Sequence, residues 1–303
     1  MTKPSQIEEL VHYYIDGALS RRQLVGRLAR YTGGLAAAAA LVKSLGLPTK
    51  AAAQSLEDIR VPENAPDLES QMVEFRGEGG LVFSYLSRPR ELGPPRTRAQ
   101  AVVTRPGVLV IHENRGLNDH IKDVTRRVAR AGFVGLGIDL VSRQGGTHLY
   151  PDPTQAGQAY NRVNAQARLE DMITSVAYLK ALPYVKEGRV GAVGFCAGGQ
   201  NCFTLAVNSP DIVAVPFYGN VPAAAQLEQL SSPLLGIFAE RDTNLTRGVS
   251  AALTTLLDRR KTFGVFIYEG VGHAFHNDTG PAYNREAASD AWARTLAFFT
   301  KHL

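Results

Sequence analysis

Cys196 stands in Gly194-Phe195-Cys196-Ala197-Gly198, the form of a nucleophile carried at the tip of a sharp turn between a strand and a helix. At such a tip the backbone is strained and side chains two positions to either side would collide, so glycines at 194 and 198 meet a physical need. The helix that follows directs backbone N–H groups and a positive dipole end at the sulfur, which favours the thiolate. A thiol also needs a base. His273 lies in Gly270-Val271-Gly272-His273-Ala274-Phe275, and Asp242 in Ala239-Glu240-Arg241-Asp242. Each follows an apolar run directly, and the chain order nucleophile, acid, histidine suits a Cys-His-Asp triad for attack on a carbonyl. Glu240 is the nearest competitor as the acid.

The elements needed to gather these residues are legible around them. Two short runs, 71–76 and 81–87, flank Gly77, Gly79 and Gly80 as an antiparallel hairpin would. From Gly107 the pattern is strand 107–113, helix 119–131 and strand 133–140. A loop through Gly145, Gly146, Pro151 and Pro153 leads to one long helical stretch over 154–182. Strand 189–195, a helix from about 199, strands 212–218 and 234–239, a helix near 247–260, strand 263–268 and a last helix over 283–302 complete the body. Nearly continuous apolar strands alternating with helices imply an α/β fold with a mainly parallel sheet covered on both faces. In such sheets the reactive groups gather beyond the carboxyl ends of the strands.

Over residues 68–303 the sequence resembles the dienelactone hydrolase family of the α/β-hydrolase superfamily. The matching segments are Val110-Ile111-His112-Glu113-Asn114-Arg115-Gly116-Leu117, Gly137-Ile138-Asp139-Leu140, Gly194-Phe195-Cys196-Ala197-Gly198-Gly199, Pro216-Phe217-Tyr218-Gly219, Glu240-Arg241-Asp242 and Gly272-His273-Ala274-Phe275. The resemblance implies a cofactor-independent hydrolase that cleaves a small ester or lactone through a thioester. It assigns Glu113 to holding the resting thiol and taking its proton when substrate arrives. The oxyanion would be held by the backbone N–H groups of Ala197 and Asn114. Members acting on dienelactones carry an arginine four residues after the catalytic histidine, and here that position is Asn277, which removes the natural partner of an anionic lactone. Arg115, Arg143, Tyr218 and His276 are candidates for other substrate contacts. A non-catalytic ligand-binding homologue and a redox role for Cys196 are competing readings. The intact triad opposes the first, and the poor placement of Cys202 for resolving an oxidised Cys196 opposes the second.

Composition bounds these readings. The 303 residues are 45% hydrophobic and 20% charged, as a globular chain is. Residues 1–53 hold seven Lys/Arg against three acids, leaving 26 basic and 25 acidic residues in the rest, so the formal charge of +5 belongs mainly to the N-terminus. The body therefore gives no case for nucleic-acid binding. His273 and His276 have no ligand cluster beside them, so no metal is expected, and Gly135-Leu136-Gly137 lacks the rest of a dinucleotide site. No apolar run in the body is long enough for an integral membrane segment. Arg21-Arg22, a weakly apolar stretch over 31–47 and Ala51-Ala52-Ala53-Gln54 resemble a twin-arginine export signal, implying a periplasmic or secreted protein. The same residues also read as a pair of amphipathic helices of a cytoplasmic protein, with Ile7, Leu10, Val11 and Tyr14 on one face. Residues 54–67, with Pro62 and Pro66, read as a linker to a domain starting at 68.

Overall fold

In the computed structural model, residues 7, 21–44, 60–92, 103–280 and 282–303 are described. Eight strands form one sheet: β1 (Leu68–Gly77), β2 (Gly80–Pro89), β3 (Gly107–Ile111), β4 (Val134–Ile138), β5 (Val190–Phe195), β6 (Ile212–Phe217), β7 (Leu234–Ala239) and β8 (Phe263–Tyr268). Their order is β1-β2-β4-β3-β5-β6-β7-β8. β1 and β2 form the expected antiparallel hairpin, β2 pairs antiparallel with β4, and all later pairings are parallel. β3, β4, β5, β6 and β7 are buried along their whole length, which is why they read as unbroken apolar runs.

The intervening helices are α3 (Asp119–Arg130), α4 (Pro153–Arg162), α5 (Ala165–Ala181), α6 (Ala197–Asn208), α7 (Ala224–Leu227), α8 (Thr243–Thr246), α9 (Val249–Asp258) and α10 (Arg285–His302). The single helix expected over 154–182 is two, because Asn164 caps α5 by accepting a hydrogen bond from Ala167 N while Val163 turns inward. One core, holding Leu109, Ile111, Met172 and Cys202, lies on one side of the sheet. The other, holding Val110, Phe195, Phe217 and Trp292, lies on the opposite side. Alternate residues of β3 feed the two, as the period of a strand requires.

Two further helices, α1 (Arg21–Thr32) and α2 (Leu35–Ser44), close on Leu24, Leu28, Ala38 and Val42, with Ile7 packed against them. The remaining expected face, Leu10 to Tyr14, and the small residues 51–53 lie outside the described residues. Residues 60–67 do more than link: Val61 and Ala65 are buried with Leu68 and Ala129. No helix among the described residues is long and apolar enough to cross a membrane.

Candidate active site

Cys196 follows β5 with φ 57° and ψ −116°, a conformation sparsely open to a residue with a Cβ. The flanking glycines are needed for close backbone approach. A Cβ on Gly194 would lie 2.1 Å from Gly198 O, and one on Gly198 would lie 2.3 Å from Ile111 O and 2.4 Å from His112 O. The turn is thus wedged against the end of β3 as well as against itself. Cys196 N donates to Phe217 O at 3.1 Å, tying the turn to β6. Tyr218 (φ 36°) and Ala274 (φ 61°) also have positive φ, so three of the four such non-glycine residues among those described sit at this site.

The loops after β7 and β8 are zipped together: Glu240 N donates to Tyr268 O at 2.9 Å and Arg241 N to Val271 O at 3.0 Å. This brings Asp242 Oδ2 to 2.5 Å from His273 Nδ1. Glu240, the alternative acid, is instead occupied in accepting Gly270 N at 2.7 Å. A hydrogen bond to the Cys196 sulfur, aided by Asp242 and opposed by burial, raises the His273 pKa to about 9. Tyr218 is buried and packs edge-on against the imidazole at 5.0 Å.

Glu113 is buried just past β3, and its carboxylate accepts from Asn277 Nδ2 at 3.3 and 3.4 Å. The Glu113 carboxylate is held by Asn277, and the Cys196 sulfur is the largest influence on the raised pKa of His273. Asn114 and Arg115 are exposed on the loop after β3, and Ala197 opens α6 beside the sulfur. The loop is pinned from below. Thr147 Oγ1 donates to Asp139 Oδ1 at 2.7 Å and accepts Leu117 N at 2.9 Å, while Leu140 N donates to His112 Nε2 at 2.9 Å. His112 Nδ1 then donates to Glu113 O. Burial lowers the His112 pKa, and a ring that accepts on one nitrogen and donates from the other is neutral. Sequence reasoning did not single out His112, Asp139 or Thr147, although the first two lie inside the matching segments.

Two expected substrate contacts lie elsewhere. His276 is fully buried, stacked on Phe195 at 5.0 Å and packed against Phe217 and Trp292, and burial pushes its pKa well below the ordinary value. It is a core residue. Arg143 is bound to Asp171 and Glu170 at 2.9 Å each, so its charge is spent on α5. Cys202 lies in the core across the sheet from Cys196, with its thiol pushed up to about 12 by burial, and it cannot act as a resolving thiol. A cleft of about 230 Å³ runs beside α6, lined by Gln200, Thr204, Asn220 and Gln226 among others, and contains none of Cys196, Asp242 or His273.

This sheet order, with its turn after β5 and its converging loops after β7 and β8, defines an α/β hydrolase. The chain belongs to the dienelactone hydrolase family, whose model matches residues 96–303, and is a hydrolase of the ester and lactone type. It is 31% identical over 262 residues to a Saccharolobus solfataricus protein named "Putative carboxymethylenebutenolidase", covering 75% of this chain and 96% of that one. It is 32% identical over 247 residues to a Bradyrhizobium protein named "Probable 2-oxo-3-(5-oxofuran-2-ylidene)propanoate lactonase", covering 76% and 94%. In fold it is similar to a crystal structure from Klebsiella pneumoniae described as a "Putative Dienelactone Hydrolase", with a TM-score of 0.68 at 24% identity, covering 77% of this chain and 99% of that one.

Proposed function

We propose that the protein cleaves a neutral carboxylic ester or lactone through a Cys196-His273-Asp242 triad and a thioester intermediate. The observation that supports this best is His273 Nδ1 at 2.5 Å from the Asp242 carboxylate, with the Cys196 sulfur as the largest cause of its raised pKa. The sulfur attacks the carbonyl carbon, and the developing oxyanion is held by the N–H groups of Ala197 and Asn114. Protonated His273 gives its proton to the leaving alkoxide. Neutral His273 then takes a proton from water, which attacks the thioester and releases the acid. Asp242 keeps the imidazole in the tautomer and orientation both steps require. Glu113 has Asn277 rather than a cation as its partner, which supports a neutral substrate over an anionic lactone.

The test is hydrolysis of a panel of acyl esters, neutral lactones and dienelactone by the wild type, Cys196→Ala and Cys196→Ser. Activity lost in Cys196→Ala supports the nucleophile, and preference for neutral panel members supports the substrate class. Activity that survives Cys196→Ala overturns the mechanism.

We also infer twin-arginine-type export. Arg21-Arg22 opens a helix followed by the alanine-rich α2, and fractionation of the host cell, with Arg21 and Arg22 both changed to Lys, tests it. Retention of the wild type in the cytoplasm would end this reading.

A further inference from the structure

Five residues beyond His273, the side chain of Asp278 is 6% exposed at the centre of an ionic cluster. Arg127 Nη2 lies 3.1 Å from Asp278 Oδ2, and His120 Nδ1 lies 3.1 Å from Oδ1, both reaching from α3. A second arginine comes from outside the family-matched region. Arg60 Nε donates to Asp278 Oδ2 at 2.6 Å, and its Nη2 donates to the Asp278 carbonyl at 2.7 Å. The segment behind Arg60 is itself fixed on α3: Val61 N donates to Asp123 Oδ1 at 2.7 Å and Arg126 Nε to Val61 O at 2.6 Å. Burial works to raise the Asp278 pKa, but His120, Arg60 and Arg127 together hold the carboxyl far below its usual range.

Between the two ends of this loop stand His273 on Asp242, Ala274 at positive φ, His276 in the core and Asn277 on Glu113. The backbone that aims the imidazole is therefore held at both ends, by Asp242 and by Asp278. We propose that Arg60 and Asp278 form a clasp that positions the His273 loop, which makes the segment just N-terminal to β1 a working part of the catalytic unit. The proposal rests on His273 being the base. Arg60 is a positioning residue that acts through Asp278 and never meets substrate. Its bond to a nearly buried carboxylate and to that residue's carbonyl fixes the direction of the backbone as well as its charge. A small displacement of a catalytic group costs rate before it costs binding.

The test uses the full chain carrying Arg60→Gln, Arg60→Lys and, as an ion-pair control distant from the loop, Arg259→Gln, whose partner is Glu228. Two readouts are taken: kcat and KM on the best ester of the panel, and the downfield proton NMR signal of the His273 Nδ1–H bonded to Asp242, assigned by its loss in Asp242→Asn. Arg60→Gln should lower kcat about fivefold with KM nearly unchanged, and shift or broaden that signal. Arg60→Lys should recover most of both, and Arg259→Gln should change neither. An unaltered signal and kcat in Arg60→Gln would overturn the clasp, as would losses matched by Arg259→Gln or accounted for by unfolded protein. The proton signal decides the matter even if no ester is hydrolysed, so failure of the functional reading and failure of the clasp are told apart.

Discussion

Asn277 donates its side-chain amide to both carboxylate oxygens of Glu113, at 3.3 and 3.4 Å, so the acid at the end of β3 is held by a neutral group. An arginine in its place would put a cation beside the Glu113 carboxylate. Asn277→Arg is expected to lower KM for anionic lactones relative to neutral ones by about tenfold, the scale of one charge-assisted bidentate contact. Steady-state kinetics on a matched pair of a neutral and a carboxylated lactone measures it. An unchanged ratio would mean that Asn277 does not set substrate charge.

The imidazole of His273 titrates at about 9 in the folded protein, against an ordinary value of 6.5, because it is bonded to the Cys196 sulfur and to Asp242. A raised folded pKa means that the native state holds a proton which the unfolded chain releases, so the unfolded chain gains relative stability as pH rises. The contribution is fully present below pH 6.5 and is lost as pH rises through about 9. The difference in melting temperature between the wild type and His273→Gln should therefore be largest in mildly acid buffer and shrink towards pH 9 and above. A difference that grows with pH would reverse the assignment.

The turn at Cys196 is held by contacts that only glycine permits. Gly198 has ordinary backbone angles, so the effect of a methyl there is steric: it would meet Ile111 O at 2.3 Å and His112 O at 2.4 Å, both fixed at the end of β3. Gly198→Ala is expected to destabilise the fold by about 3 kcal/mol, since backbone at a sheet end cannot step aside. Urea titration reads this directly. A change of a few tenths would show that the turn has more slack than the geometry implies.

The strands and the turn at Cys196 were legible in the sequence for one reason: both are local. Strands buried on two faces have no polar positions to interrupt the run, and Gly194, Cys196 and Gly198 report a turn within five residues. What was not legible depends on partners far along the chain. Residues 60–67 have the acids and prolines of a linker, yet Arg60 is fixed by Asp278, 218 positions away. The polarity of His276 suggested a substrate contact, but its neighbours Phe195, Phe217 and Trp292 arrive from three separate elements and bury it. Arg143 looked available until α5 supplied Asp171 and Glu170. Asn164, the cap that divides 154–182 into two helices, was a local signal that apolar periodicity on either side obscured.

The loop that would supply the Asn114 N–H has one support that can be removed without changing side-chain shape. Thr147 Oγ1 relays Asp139 Oδ1 to Leu117 N, at 2.7 and 2.9 Å, and Gly116 passes so near that a Cβ there would lie 2.0 Å from the same hydroxyl. Thr147→Val keeps the branched shape but leaves both Leu117 N and one lone pair of Asp139 without that partner. If the loop forms half of the oxyanion hole, the loss appears in the transition state, where charge develops on the carbonyl oxygen. The expected result is a fall in kcat of about tenfold with KM within about twofold, and no change in the rate at which iodoacetamide alkylates Cys196. Equal losses in alkylation and in ester turnover would instead locate the damage at the thiol, and the hole would have to be sought on another loop.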